Sequence, residues 1–331
     1  MLVIAVAGIR ITARTQLGIA LIEYTILVGF SLAGQVLVLH HAPGTVPVTP
    51  VWYHLPPTHG GLAAGFLIAV FAYTGWDGTI YVNEEVRHRR ANPGRAALMT
   101  VTFLTILFTL AQADLQGVVS PARLHAHSAS ALVYVAGVIG GQVGARLMAL
   151  ALALSVTAST GCGIVLTARM IYGMASHRVL PPRLANISPR LATPVAASVL
   201  TGILLIAATW LYLLTSSIAA AFADVIAVTG LLYAGFYILT ALAALAYYRH
   251  RILASPRDAL TLGVLPLTAT GFLGWVIAAS VRSAPPAQNW SLAVIVAAGL
   301  AALLAARYGL RSPFFRLPRE HATGQRRARR R

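Results

Sequence analysis

The sequence predicts an all-α integral membrane protein, and both its composition and its pattern of apolar runs indicate this class. Of its 331 residues, 58% are hydrophobic and only 10% are charged, with a mean hydropathy of +0.75. A soluble core cannot bury so large an apolar share of the chain. Runs of about 20 apolar residues, the length that crosses a bilayer as a helix, recur along the sequence. The chain is therefore expected to fold within a membrane.

About eight of these runs are long enough to form complete transmembrane helices. Loops rich in helix-breaking residues separate them, among them the Pro- and Gly-dense segment at 40–60. The segment from Ser120 to Arg146 holds only a short apolar run, so we expect an external loop with a short interfacial helix there. The predicted spans are Gln16–Leu39, Leu62–Val82, Ala96–Val119, Leu147–Tyr172, Pro194–Leu214, Ile218–Tyr248, Leu260–Val281 and Trp290–Tyr308.

The arginines predict the orientation of these spans. The sequence has no lysine, and threading the eight spans alternately places 22 of its 25 arginines on one side. The positive-inside rule identifies that side as cytoplasmic. We therefore expect a multi-pass protein of the cytoplasmic membrane with a cytoplasmic C-terminus, and we assign the high positive charge to topology rather than to nucleic-acid binding.

The two ends of the chain predict its domain organisation. The opening octet MLVIAVAG is apolar, too short to span a bilayer and without the charged leader of a secretory signal. We interpret it as the end of a truncated membrane helix. The prediction is a helix stub over 1–8, a partial transmembrane domain over 9–311 and an Arg-rich cytoplasmic tail over 312–331.

The second span is predicted to be interrupted halfway across the membrane. Gly75 and Gly78 frame Trp76 and Asp77 near its centre. A broken helix inside a bilayer is tolerated where its backbone groups line a polar cavity or bind a ligand, and such breaks mark substrate sites in secondary transporters. The alternative is that these glycines only allow neighbouring helices to pack closely.

Three stretches resemble amino acid permeases of the amino acid/polyamine/organocation (APC) superfamily. The stretch FAYTGWDGTIYVNEEVRHRRANPGRA resembles the sixth helix of that family and the loop that follows it. RMIYGMASHRVLPPRLANISPRLATPV is similar to the end of the eighth helix, and GIRITARTQLGIALIEYTILV is similar to the entry into the fifth. The three occur in the family's order and spacing over most of the chain.

The resemblance implies a leucine-transporter-like fold of two inverted five-helix repeats, here partial, in which the eight spans correspond to family helices five to twelve. Helices one to three and most of four have no counterpart. The chain also departs from the family at Ser176, His177 and Arg178, where Arg-Asp-Gly is usual, so a gating ion pair at that point is not expected.

The resemblance further implies where substrate and coupling ion bind. Ala72, Tyr73, Thr74, Gly75 and Trp76 would form the unwound part of the sixth helix, donating backbone amides to a substrate carboxylate while Trp76 or Tyr73 packs over its side chain. Asp77 could contact the substrate amine or a proton, but we favour a role as cap of the inner half-helix.

Glu23 is the first candidate for coupling, because an ionisable residue inside a span is costly and by default functional. It matches a position where related permeases often carry a lysine proposed to replace a sodium ion, so Glu23 could carry a coupled proton. The alternative is that Glu23 snorkels toward the cytoplasm and pairs with Arg10 or Arg14. Ser155, Ser159 and Thr160 lie where sodium-coupled relatives hold their ion, although such hydroxyls also serve as ordinary interhelical contacts.

The sequence therefore predicts secondary active amino acid transport, with an amino acid as substrate, a proton or sodium as coupling ion and the bilayer as surroundings. No cofactor, metal or nucleic acid is expected. The alternative is a non-transporting permease remnant, or a half-transporter that needs another piece. A membrane-embedded enzyme is disfavoured, because the eight acidic residues form no repeated Asp-rich motif.

Overall fold

In the part of the chain that the structure describes, helices occupy each of the eight predicted apolar spans. The chain, described here by a computed structural model, is defined at residues 9–47, 49, 59–81, 86, 88, 91–189, 193–215, 217–309 and 311–316. In this part of the chain the structure is all-α, which confirms the predicted fold class. The α-helices of four or more residues are α1 (Ile9–Leu39), α2 (His59–Ala72), α3 (Gly78–Tyr81), α4 (Asn92–Gly117), α5 (Pro121–Ala126), α6 (Ala131–Ser176), α7 (Val195–Thr215), α8 (Ile218–Tyr248), α9 (Leu265–Ser283) and α10 (Pro286–Leu304).

Six helices among the described residues are long and apolar enough to cross a membrane. They coincide with six of the eight predicted spans. The other two predicted spans contain shorter apolar helices, Gly61–Ala72 and Val195–Leu211. The predicted stub at 1–8 and residues 317–331 of the predicted tail lie outside the described residues.

One compact unit comprises the described residues of Met1–Tyr53, Trp76–Ala207 and Ala305–Arg331. Within it α1 packs against both α4 and α6. Tyr24 of α1 meets Phe103 of α4 edge to face, with ring centroids 5.0 Å apart. Lipid is as apolar as these side chains, so specific packing and hydrogen bonds, rather than apolar burial, hold helices together in a bilayer.

The helix α6 bends sharply at two adjacent glycines. Gly140 (φ −122°, ψ 18°) and Gly141 (φ 61°, ψ −153°) both leave helical geometry. Beyond the bend, Gly144 lies so close to Ala136 that a Cβ on Gly144 would overlap the Ala136 carbonyl oxygen. These two residues would lie about 12 Å apart in a straight helix. The segment predicted as an external loop with a short helix therefore contains a helical piece, 131–140, that folds back on the rest of α6.

The second compact unit comprises the described residues of His54–Gly75 and Ala208–Leu304. Its core is a buried cluster of Leu67 from α2, Leu231 from α8 and Val276 from α9. Gly230 lies where α2 and α8 meet, since a Cβ there would be 3.0 Å from the Leu67 carbonyl oxygen. A small residue at such a crossing lets two helix backbones approach closely.

The last described residues contact the loop that follows α6, in the first unit. Ser312 is 1% exposed, and its hydroxyl donates a hydrogen bond to the His177 carbonyl over 3.2 Å. The ring of Phe314 lies edge-on to the His177 imidazole, with centroids 6.1 Å apart. His177 belongs to the tripeptide that departs from the family's Arg-Asp-Gly, so this loop contacts the C-terminal segment.

Candidate functional site

The predicted span Leu62–Val82 is broken at its centre, as expected. α2 ends at Ala72 and α3 begins at Gly78, with a non-helical turn between them. Gly75 has a φ of 101° in this turn. Glycine adopts a positive φ at little cost, whereas a residue with a Cβ rarely does. The prediction of a helix break is confirmed.

The five residues predicted to bind substrate form the end of α2 and the turn after it. Ala72 and Gly75 are exposed, and Tyr73, Thr74 and Trp76 are half-buried. The Thr74 hydroxyl donates a hydrogen bond to the Phe71 carbonyl over 2.7 Å, so it supports the end of α2. An irregular backbone at membrane depth is tolerated where it is buried in protein or lines a water-filled cavity. Ala72 is the last residue of α2 and Tyr73, Thr74, Gly75 and Trp76 lie in the turn after it, and the binding role of all five stays a prediction.

The short helix α3 follows the break in the sequence. Asp77 immediately precedes it and is 2% exposed. The Asp77 carbonyl accepts a hydrogen bond from the Ile80 amide over 2.8 Å. Gly78 faces α6, because a Cβ there would lie 2.7 Å from Cδ1 of Leu166. Glycine at 78 therefore lets α3 lie directly against α6, while the predicted capping role of Asp77 stays a prediction.

A cavity of about 220 Å³ in the first unit brings together two of the predicted coupling residues. Glu23 from α1 and Ser155 from α6 both line it. Ser159 and Thr160 are exposed and are not among its described lining residues. The Thr160 hydroxyl instead donates to the Val156 carbonyl of its own helix over 2.8 Å. The remaining wall is mostly apolar, formed by Leu27, Phe30, Ser31, Leu107, Phe108, Ala111, Asp114, Leu115, Leu132, Val135, Ala136, Ile139, Met148, Ala151 and Leu152.

Asp114 of α4 is a second acidic residue that lines this cavity, and the sequence motifs do not identify it. Its side chain is 5% exposed and accepts a hydrogen bond from Gln35 Nε2 over 2.7 Å. The Ser31 hydroxyl also hydrogen-bonds this carboxyl group. The signal that could have identified it is the rule applied to Glu23: an ionisable residue inside a predicted span marks a functional site by default. Two acids from different helices thus line one largely apolar cavity.

The geometry of α1 separates Glu23 from Arg14. Nine residues of helix place their Cα atoms about 13 Å apart along the axis. Ion pairs within a helix form between residues three or four positions apart. Glu23 therefore does not form a local ion pair with Arg14, and it contributes its side chain to the wall of the cavity instead.

Six long apolar helices among the described residues indicate a multi-pass membrane protein, and a further apolar segment that is broken at Gly75 is typical of secondary transporters. The sequence profile of a family described as amino acid permease matches residues 1–304. The chain belongs to the amino acid permease family, as its resemblance to APC-superfamily proteins implied. The proteins of this family are transporters, not enzymes. The inverted-repeat arrangement of the helices stays a prediction.

Relatives with assigned names support the same family. The human large neutral amino acids transporter small subunit 2 is 31% identical over 160 residues, 48% of this chain and 29% of the relative. The mouse Asc-type amino acid transporter 1 is 28% identical over 151 residues, 46% of this chain and 28% of the relative. An Escherichia coli D-serine/D-alanine/glycine transporter is 23% identical over 258 residues, 76% of this chain and 54% of the relative. The chain therefore covers less than a third of the length of the first two relatives and about half of the length of the third.

Proposed function

We propose that this chain carries amino acids across the cytoplasmic membrane by secondary active, proton-coupled transport. The observation that carries the proposal is the break at Gly75, which lies in a chain of the amino acid permease family. Non-helical backbone inside a bilayer marks substrate sites in secondary transporters, so the segment at this break is where we propose that an amino acid binds.

The proposed substrate site is the segment Ala72–Trp76. The Tyr73 and Thr74 amides donate to the Ala69 and Phe71 carbonyls, so binding of the substrate carboxylate by amides of this turn would require them to exchange these acceptors for it. Tyr73 or Trp76 is proposed to pack over the substrate side chain. The names of the relatives specify large neutral amino acids in one case and D-serine, D-alanine and glycine in another. We therefore propose a neutral amino acid as the substrate class.

The proposed proton site is the cavity that Glu23 shares with Asp114 and Ser155. Asp114 contacts Ser31 and Gln35 of α1, about 12–18 Å along that helix from Glu23, so the two acids line different parts of the cavity. A charged side chain inside a membrane span is costly, and a bound proton removes that charge. Glu23 is proposed as the transported-proton carrier, because Asp114 already accepts a hydrogen bond from Gln35. Ser159 and Thr160 have no part in this proposed proton site.

Proton-coupled transport is tested in vesicles that contain the purified full chain. An inward proton gradient should drive accumulation of radiolabelled alanine, serine or leucine above the level reached without a gradient, and a proton ionophore should abolish the excess. A sodium gradient of the same size should have no such effect. Accumulation driven by sodium alone would contradict proton coupling. Substrate binding without accumulation under any gradient would contradict transport by this chain alone.

The orientation is proposed from the arginine distribution, which places 22 of 25 arginines on the C-terminal side. A fluorescent-protein fusion at the C-terminus should fluoresce in bacterial cells, because the fluorescent protein folds in the cytoplasm. An alkaline phosphatase fusion at the same point should be inactive. The reverse pattern would place the C-terminus outside.

A further inference from the structure

A second cavity, of about 400 Å³, lies within the second unit and has no part in the proposed transport mechanism. Its volume is within the range of cavities that bind small ligands. One wall of the cavity is part of the hydrophobic core of this unit, because Leu67 also belongs to the buried cluster with Leu231 and Val276. The described lining residues are Ala64, Leu67, Ile68, Phe222, Ala223, Ile226, Ala227, Ser280, Ser283, Ala284, Pro285 and Gln288.

The lining changes from apolar to polar toward one end of the helices. Residues of α2 and α8 supply only alanine, leucine, isoleucine and phenylalanine. The polar residues Ser280, Ser283 and Gln288 all come from the last turn of α9 and the first turn of α10. The turn between two membrane-crossing helices lies at the membrane surface. The polar end of the cavity is therefore at the depth of lipid headgroups, and the apolar part extends toward the acyl chains.

The cavity continues into an apolar outer surface. Ile68 is 58% exposed and Phe222 is 67% exposed, although both line the cavity. In a membrane protein, side chains exposed in this way face lipid. An occupant can therefore enter from the bilayer without crossing water.

The hydroxyl of Ser280 is the unusual polar group of the wall. Ser280 is 7% exposed, and its Oγ atom is buried without a hydrogen-bond partner among the described residues. Ser283, one turn later, donates to the Ala279 carbonyl over 3.0 Å, as serines in membrane helices commonly do. A buried hydroxyl with no partner is unfavourable. The Ser280 Oγ atom has almost no accessible surface, so the polar side chains that an occupant can reach at this end are those of Ser283 and Gln288.

We propose that this cavity holds one acyl chain of an anionic phospholipid, whose glycerol region lies against Ser283 and Gln288. Arg282, between two polar positions of the wall, is exposed in the last turn of α9 and supplies the positive charge for the phosphate group. The described lining carries no acidic residue that would repel a phosphate.

The test uses the full chain, purified and reconstituted in phosphatidylcholine vesicles that contain a trace of phosphatidylglycerol with a diazirine in one acyl chain. After irradiation, mass spectrometry of the digested protein should locate adducts in 64–68 or 222–227. The Ala223→Trp variant should lower the yield of these adducts about tenfold, because the indole fills the space that the chain needs. Ala243→Trp, on an exposed part of the same helix outside the cavity, is the matched control and should label normally.

The headgroup is tested separately, with Arg282→Gln and with Arg257→Gln as a control in the same unit. Arg282→Gln should lower labelling by phosphatidylglycerol several-fold and leave labelling by a phosphatidylcholine with the same diazirine chain unchanged.

Adducts that are insensitive to Ala223→Trp, or that map elsewhere, would overturn the site. Equal labelling by both lipids that does not change in Arg282→Gln would overturn the choice of an anionic lipid. Labelling by a diazirine fatty alcohol that phosphatidylglycerol fails to displace would identify a free amphiphile instead and also overturn the proposal.

Discussion

Gln35 in α1 donates a hydrogen bond through Nε2 to Oδ1 of Asp114 in α4 over 2.7 Å. The two residues are 79 positions apart in sequence, so the bond joins two helices of the first unit. Gly34, next to Gln35, lies against the same carboxylate: a Cβ there would be 2.7 Å from Cγ of Asp114. A glycine and an amide on one helix thus accommodate a buried acid on another.

Replacing Asp114 should destabilise the chain in an order set by hydrogen bonding. Asp114→Asn keeps an acceptor oxygen for Gln35, whereas Asp114→Ala leaves the half-buried Gln35 amide with only the Leu110 carbonyl, 3.4 Å away, at a cost of about 0.5–1.5 kcal/mol. Thermal unfolding in detergent should rank the wild type above Asp114→Asn and Asp114→Asn above Asp114→Ala. Asp258→Ala, in the short helix Pro256–Asp258, should match the wild type. Equal melting temperatures for all four proteins would contradict a stabilising role of this bond.

Gly34→Ala should be destabilising in the wild type and nearly neutral when Asp114 is already alanine. The added methyl overlaps the Asp114 carboxylate, and a clash of this kind costs about 1–3 kcal/mol. Removing the carboxylate removes most of the clash, because only the Cβ of residue 114 remains, 3.3 Å from the methyl, so the double-mutant cycle should show a coupling well above the error of the measurement. Gly29→Ala on the same helix is the control, because a Cβ there would have no atom of the described residues within 4 Å. Additive effects at Gly34 and Asp114 would show that the two sites are independent.

Gly75→Ala should lower amino acid uptake strongly while preserving the folded protein. The positive φ of 101° is strained for alanine, so the turn proposed to bind the substrate carboxylate has to change shape. Gly44 provides a matched control, because its φ is 90° in a loop and a Cβ there would have no neighbour within 4 Å in the described part of the chain. Uptake by Gly44→Ala should remain near the wild-type rate. Equal losses in both variants would indicate general destabilisation rather than a role of the turn in binding.

Glu23→Gln should separate proton-driven accumulation from substrate exchange. Glutamine keeps the shape of the side chain but cannot bind and release a proton. Vesicles with this variant should exchange labelled for unlabelled amino acid at equilibrium and should not accumulate substrate in response to a pH gradient. Normal accumulation by Glu23→Gln would exclude Glu23 as the proton carrier and would leave Asp114 to be tested in the same way.

Phe314→Ala should expose the loop after α6 to protease. Phe314 packs edge-on to His177, and the neighbouring Arg178 has a φ of 58°. Loss of the aromatic contact should speed tryptic cleavage at Arg178 severalfold, since proteolysis requires local opening. Phe222→Ala, on the outer surface of the second unit, should leave this cleavage rate unchanged. An unchanged rate in Phe314→Ala would mean that the contact does not hold the loop.

The helices and the helix break could be predicted because both depend on residues close together in sequence. A run of apolar residues has to satisfy its backbone within the segment to enter a bilayer, so α8 coincides with the predicted span Ile218–Tyr248. Gly75 and Gly78 marked the break in the same local way. The fold-back at Gly140 and Gly141 could not be predicted from local sequence in the same way. Two glycines in an apolar run are also typical of an unbroken helix that packs closely.

Local sequence was enough to establish the membrane class, the positions of the apolar helices and the place where one of them breaks, because each follows from the cost of exposing polar backbone to lipid. Only the three-dimensional structure shows which polar side chains line the same cavity. Glu23, Asp114 and Ser155 come from three helices, and nothing in their local sequence shows that they line one cavity. Side chains in a bilayer gain little from apolar burial, so helix-to-helix contacts of residues distant in sequence decide which faces pack together.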